Sequence, residues 1–491
     1  MNDFPGKSKR TEINFRKAAI LQFASRYANV ILQLVLTAIL ARLLTPNEYG
    51  VMAGVAIFTN LFGILGDMGL GPAIIQYKQL TKSDYGGLFV FSIILGIVLS
   101  VVFVALGFPI SQFFNEPSYV SLCAWSAVSI LFGTMNMVPN GILLKKKRFD
   151  IIGIRLIITT VIGGIVAIIL AVMGAGTMAL VWNINIVSIS IFIWNVVSIK
   201  DEINLTDIVI IKPLKLVAKY SVYQAGFGIV NYFSRNLDHL IIGKVFGSVA
   251  LGLYDKSYKL TSYPIQFIPG VLGSILQPYL AKYENDREKI YQVQMKLIFL
   301  LSSLGVVISF AFILCGKEII YFFYGSQWLS SVPLFVILCA SITFQMVNNI
   351  TGGILQSAGR TDYLFRQGVV ATTTMLGMLL IGSFTHDLNK LTAFITIGFV
   401  LQTISVAYYT TVKAFGHSII EFFKPIVSAL CPAVIIFIPL AVLKFHYMIL
   451  AEHFLLSLLV FGLTFVAAYC LWLFCTGKMS IFASLWKSKS V

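Results

Sequence analysis

The residues of this chain best placed to do chemistry are ionisable groups lying well inside long apolar stretches: Arg26, Asp67, Arg235, Asp238, Asp255, Lys256 and Lys259. A charge at the centre of a bilayer costs about 3 kcal/mol on insertion scales, so each such group needs a partner or a watery cavity. Arg26, in QFASRYANVILQ, is too deep between Arg16 and Arg42 to snorkel easily. It is expected either to face a cavity or to pair with an acid such as Asp67. Arg235 and Asp238 are three apart in NYFSRNLDHLIIG and share a helical face, so they can pair. Lys256 and Lys259 share a face in GLYDKSYKLTSYP, and Asp255 is placed four before Lys259 to neutralise it. A cation held at that depth and open to water suits an anionic ligand. Asp67 sits among the glycines and Pro72 of LFGILGDMGLGPAIIQ, where a bend or close helix packing is expected. It pairs with Arg26 or Arg42, or binds a coupling cation. Arg155, one turn inside its apolar segment, is expected to snorkel outward.

The elements that must position these groups follow from composition. Of the 491 residues, 58% are hydrophobic and only 11% charged, against roughly 25% charged in a soluble domain. Most side chains must therefore be solvated by lipid. About fourteen stretches are apolar and long enough to span as helices, beginning with 18–43 and ending with 453–475. The expected architecture is all-α, with two six-helix lobes followed by two extra helices. In residue ranges this gives an amino-terminal tail over 1–17, a first lobe over 18–198 and a polar linker over 199–213. A second lobe over 214–413, two further helices over 414–475 and a tail over 476–491 complete the chain. The net charge of +16 is a topological signal. Assigning alternate loops to opposite sides puts 25 basic residues on one side and 5 on the other. The richer side is the cytoplasmic one, so both termini are expected inside. Nucleic acid is not an expected partner.

The two lobes are expected to be parallel repeats. An ungapped offset of 202 residues places Gln22 on Gln224, Asn29 on Asn231, Gly50 on Gly252 and Thr59 on Thr261. Arg42 falls on Lys244 at the same helix end, just before a tight glycine-containing turn. Arg42, Gly50, Lys244 and Gly252 are therefore the candidate turn or gate residues. The six cysteines lie in or beside apolar segments and read as small fillers, and the five histidines are scattered without metal-like spacing. No nucleotide-binding or hydrolase motif is present, so the chain is expected to be no enzyme and to need no cofactor.

The segment LTAILARLLTPNEYGVMAGVAIFTNLFGILGDMGLGPAIIQ (36–76) resembles the polysaccharide flippases of the Wzx or polysaccharide-transporter type. These belong to the multidrug/oligosaccharidyl-lipid/polysaccharide superfamily. The likeness rests on the turn from Arg42 to Gly50 and the glycines around Asp67, from Gly66 to Gly71. LDHLIIGKVFGSVALGLYDKSYKLTSYP (237–264) resembles the matching turn of the second lobe, and SAGRTDYLF (357–365) a later one. The likeness is greatest to exporters of colanic acid or succinoglycan. It implies alternating-access movement of oligosaccharide units on a polyprenyl diphosphate across the cytoplasmic (inner) membrane, for surface or exopolysaccharide synthesis. It also implies a cationic cavity lined by Arg26, Arg235, Lys256 and Lys259, with Asp67 and Asp238 as ion-coupling or pairing groups. Polymerase and chain-length proteins of the same pathway are the implied partners. Two other readings stand beside it: a multidrug exporter of the same fold, for which the deep charges are of the wrong sign, and a membrane scaffold that transports nothing.

Overall fold

The computed structural model describes residues 6–204, 208–280, 283, 286–446 and 457–479. Within those ranges the side chains of 6–23, 26, 219, 220, 227, 230, 234, 271, 273–279, 445 and 458 are outside the description. The chain is an all-helical membrane protein. Among the described residues ten helices are long and apolar enough to cross a membrane, and the bent pair Ser326–Cys339 and Ile342–Ser357, 54° apart, makes an eleventh. Tyr27–Leu43 and Leu459–Cys475 are shorter apolar helices. Two compact units divide the chain, Met1–Gly252 and Leu253–Val491.

The first unit holds α1 (Gly6–Leu43), α2 (Pro46–Asp67), α3 (Leu70–Gln76), α4 (Lys82–Phe114), α5 (Ser118–Met135), α6 (Met137–Lys145), α7 (Phe149–Val172) and α8 (Thr177–Ser198). It also takes the first limb of α9 (Ile211–Leu280), which breaks at Gly247, with φ 84° and ψ 179°. A positive φ of that size is open to glycine and strained for most other residues. α1 packs along α7, α4 along α5, and α7 along α8. α2 gives way to α3 at Met68 and Gly69, both left-handed with φ 40° and 66°. The bend expected near Asp67 thus falls immediately after it.

The turn from α1 into α2 is built by local hydrogen bonds. Thr45 caps α2: Glu48 N–H donates to its Oγ1 at 3.3 Å, and Thr45 N–H donates back to Glu48 Oε2 at 2.6 Å. Pro46 occupies the first turn, where its missing N–H costs nothing. This turn meets the Gly247 turn backbone to backbone. A Cβ at Gly50 would lie 1.7 Å from the Ser248 carbonyl oxygen, and one at Gly252 would lie 2.0 Å from the Pro46 carbonyl oxygen. Positions 46 and 248, like 50 and 252, are related by the 202-residue offset, so the contact is reciprocal. Ser248 Oγ adds a hydrogen bond to Asn47 Oδ1.

The described part of the polar stretch after α8 is docked onto the first unit. Lys82 Nζ donates to the Asp201 carbonyl at 2.6 Å, and Asn204 N–H to the Lys82 carbonyl at 3.1 Å. Lys146 pairs with Glu202, and that hydrogen bond holds the Glu202 carboxyl below the usual range. Gly86 and Gly87 open α4 to the incoming chain, since a Cβ at either would strike the carbonyls of Asn204 or Val209 at 2.0 Å and 1.9 Å.

The second unit contains the second limb of α9, α10 (Arg287–Leu314), α11 (Gly316–Tyr324), α12 (Val332–Cys339), α13 (Ile342–Ser357), α14 (Thr361–Ser383), α15 (Leu388–Ala407), α16 (Ile419–His446) and α17 (Leu463–Cys475). α10 is its central post, packed by α13 and α16. Phe299, Val306, Ala429, Ala433, Phe465 and Tyr469 form a shared core there. A buried ion pair ties α11 to α16, with Lys444 Nζ 2.6 Å from Glu318 Oε1, and Ser457 Oγ donates to the same oxygen at 2.9 Å.

The glycine contact predicts that Gly50→Ala and Gly252→Ala each cost about 1–3 kcal/mol, because the neighbour is backbone and cannot rotate away. Gly63, exposed with nothing within 4 Å of its Cβ position, is the control. Thermal unfolding of purified protein in detergent should fall for the first two substitutions and not for Gly63→Ala.

Candidate functional site

The candidate cations divide into exposed and buried members. On the first limb of α9, Arg235 is exposed, and so is Asn231 one turn before it on the same face. Tyr232, between them, donates its hydroxyl to the Ile57 carbonyl of α2 at 2.6 Å and so fixes the limb against that helix. Asn60, also exposed, lies three residues further along α2. Asp238 is buried on the same limb, where it accepts the His239 N–H at 2.8 Å and lies 3.0 Å from His239 Nδ1.

On the second limb, Lys259 projects with 53% of its side chain exposed, while Asp255, its partner at 2.9 Å, is almost covered at 8%. The carboxylate anchors the ammonium from behind and takes up one of its three donors. Lys256 is inside the packing, 2% exposed, with its ammonium 5.9 Å from the centre of the Tyr324 ring. The Tyr324 hydroxyl donates to the Lys256 carbonyl at 3.5 Å, and Ser257 Oγ reaches the Ser331 carbonyl at 3.2 Å. Lys256 and Lys259 share a helical face in the sequence, yet α11 and the Ser326–Ser331 turn cover one and not the other.

The remaining candidates are dispersed. Arg26 lies in α1, and its side chain is outside the described residues. Asp67 ends α2, and a Cβ at Gly71 would come 3.8 Å from its Oδ1. Arg42 is exposed in the last turn of α1. Lys244 donates to the Phe113 carbonyl at 2.5 Å and sits 4.9 Å from the centre of that ring. Gly50 and Gly252 are buried in the reciprocal contact. Among the described residues no three His, Cys, Asp or Glu side chains gather as a metal site.

Arg155 departs from its expected snorkelling. It is 6% exposed and donates to Asn140 Oδ1 at 2.7 Å. At the break between α5 and α6, Asn195 Nδ2 of α8 donates to Asn136 Oδ1 at 2.7 Å. Outward reach is unnecessary because α6, which breaks from α5 at Asn136, carries the partner. Asn136 and Asn140, four apart in an apolar segment, were a legible signal for this network. The exposed amides Asn60, Asn231, Gln266 and Asn349 were legible too, as polar groups at spanning depth.

An exposed Arg or Lys midway along a spanning helix cannot face hydrocarbon cheaply, so these faces meet water. The chemistry available there is reversible ion pairing and hydrogen bonding to a polar anionic ligand.

The comparisons with known proteins agree on family and fold. Residues 39–333 match the family model described as polysaccharide biosynthesis protein, and the chain belongs to that family. It is 23% identical over 336 residues to the teichuronic acid biosynthesis protein TuaB of Bacillus subtilis, covering 68% of this chain and 69% of that one. It is 22% identical over 395 residues to the lipopolysaccharide biosynthesis protein WzxC of Escherichia coli, covering 78% and 77%. Its fold is that of the lipid II flippase MurJ in an inward closed conformation, with a TM-score of 0.70 at 12% identity over 92% of this chain and 98% of that one.

Water at the two cationic faces predicts a labelling pattern. Arg235→Cys and Lys259→Cys should react with a charged, water-borne thiol reagent. Ile97→Cys, exposed on the apolar α4, should not. Equal reactivity at all three positions, read by mass shift, would place lipid and water faces elsewhere.

Proposed function

We propose that this member of the polysaccharide biosynthesis family is a flippase for oligosaccharide units carried on a polyprenyl diphosphate. The observation that carries the reading is the pair of exposed cations, Arg235 and Lys259, on polar faces of spanning helices in a chain of that family. The names of TuaB and WzxC point to surface polysaccharides, and that of MurJ to a flipped lipid-linked sugar.

The physical task is defined by the substrate. Its polyprenyl tail is at home in lipid, but a diphosphate and a string of hydroxyls cannot cross hydrocarbon unaided. A polar path with fixed cations replaces the lost hydration of the diphosphate, and alternating access opens that path to one leaflet and then the other. In this reading Arg26, Arg235 and Lys259 meet the substrate. Lys256, being buried against Tyr324, packs the second limb of α9 and does not itself meet the substrate. Asp67 and Asp238 take the ion-coupling or pairing roles, and Asp255 orients Lys259. Gly50 and Gly252, flanked by Arg42 and Lys244, form the turn contact at one mouth.

The finer topology belongs to the same proposal. Fourteen spans are supported by the ten long helices, the bent pair, Tyr27–Leu43, Leu459–Cys475 and the division of α9 at Gly247. With the excess of basic residues on one set of loops, both termini lie in the cytoplasm and the protein resides in the cytoplasmic membrane. The lobes run over 18–198 and 214–413, and polymerase and chain-length proteins act downstream of the delivered units.

The deciding measurement is leaflet occupancy in the host lacking the gene, read with a glycosidase that cannot cross the membrane. Lipid-linked oligosaccharide should become inaccessible in the deletion and accessible again with the wild-type gene. Arg235→Ala combined with Lys259→Ala should restore less than a tenth of the wild-type signal, taking about 1.5–3 kcal/mol for each charge-assisted contact. Unchanged accessibility in the deletion would reject the substrate.

A further inference from the structure

Two turns beyond Lys259, the second limb of α9 carries a neutral polar group that the charges do not explain. Gln266 is exposed. It stands seven residues from Lys259, which puts both on one face roughly 10 Å apart. Beside it, Asn349 of α13 is also exposed, and its Nδ2 donates to the Ile265 carbonyl at 2.9 Å. That bond seats Asn349 next to Gln266 and leaves its carbonyl oxygen as an acceptor. Between Lys259 and Gln266, Tyr263 is half-buried and stacked on Phe267, with ring centres 6.0 Å apart and planes 4° from parallel. The face thus presents in order an ammonium, a flat aromatic ring and two carboxamides.

Each part matches a different part of one ligand. The ammonium, anchored by Asp255, suits phosphate. Carboxamides are both donors and acceptors, as sugar hydroxyls are, and they carry no charge with which to hold phosphate. A flat ring offers an apolar platform to the C–H face of a sugar. An amide pair exposed at spanning depth has no use against lipid, where it costs free energy with no partner. The first unit shows the same chemistry on its own limb, where exposed Arg235 is preceded one turn earlier by exposed Asn231.

We infer that Gln266 and Asn349, with the Tyr263 ring, are the sugar-reading part of the site and set which oligosaccharide is carried, while Lys259 holds the diphosphate. This rests on the flippase reading. It assigns specificity to neutral residues about two helical turns from the charge.

Purified full-length protein in detergent, titrated with two lipids while its intrinsic tryptophan fluorescence is followed, tests the inference. One lipid is the lipid-linked oligosaccharide extracted from the host. The other is the same material stripped to bare polyprenyl diphosphate. Gln266→Ala should weaken binding of the sugar-bearing lipid roughly three- to tenfold, the loss of about one net hydrogen bond, and leave the bare lipid unchanged. Lys259→Gln should weaken both lipids by a similar factor. Asn349→Ala should follow Gln266→Ala, but it also removes the bond to Ile265, so Gln266→Ala, which touches no such bond, is decisive. Equal weakening of both lipids by Gln266→Ala, or of neither, overturns the inference while the flippase reading stands. Wild-type protein that binds neither lipid sinks that reading, and this inference with it.

Discussion

A charge in hydrocarbon must find water or a partner, and the arrangement of this protein follows from that constraint. Each deep ionisable group that the structure describes has met it in its own way. Arg155 is taken into the packing and given Asn140. Lys444 and Glu318 neutralise each other where α11 meets α16. Lys256 is covered and laid over an aromatic ring, a geometry in which the ring's quadrupole offsets part of the lost hydration. Arg235 and Lys259 instead remain exposed, so water must reach them.

The reciprocal contact between the turns at Gly50 and Gly252 serves a different end. Two backbones approach so closely that neither position tolerates a Cβ, and the carbonyls that forbid it, those of Ser248 and Pro46, are themselves repeat-related. The Thr45–Glu48 capping box and Pro46 hold one side of the contact in shape, and the positive φ of Gly247 holds the other.

Sign and balance of charge also separate this chain from an exporter of cationic drugs, which would want unpaired acids on its polar faces. Here the carboxylate nearest the exposed lysine, Asp255, is turned behind it and nearly covered, and Asp238 is turned onto His239. At Lys259 the cation faces outward and its acid supports it from within. That order suits an anionic headgroup whose remaining surface is neutral and hydroxyl-rich.

Much of this was legible in the residues alone, because the bilayer makes helical span and loop charge depend on composition. The apolar segments, the turn from Arg42 to Gly50, the glycine pair and the Asp255–Lys259 pair are all local patterns with a period or spacing to read. The capping box and the break after Asp67 follow from turn chemistry within a few residues. What the linear pattern did not contain was which side of a helix another helix would cover. Lys256 and Lys259 are one turn apart and equivalent by spacing, and only the docking of α11 decides that one is buried and the other wet. Arg155 was near enough to its helix end to reach outward, and only the break at Asn136 brings Asn140 within 2.7 Å of it. The polar stretch after α8 reads as a linker between two halves, and only the fold shows its described residues seated on the first unit, where Lys82 reaches the Asp201 carbonyl across 119 positions and Gly86 and Gly87 leave room for the carbonyls of Asn204 and Val209. Burial and exposure at spanning depth are properties of packed neighbours, and no spacing along one helix encodes them.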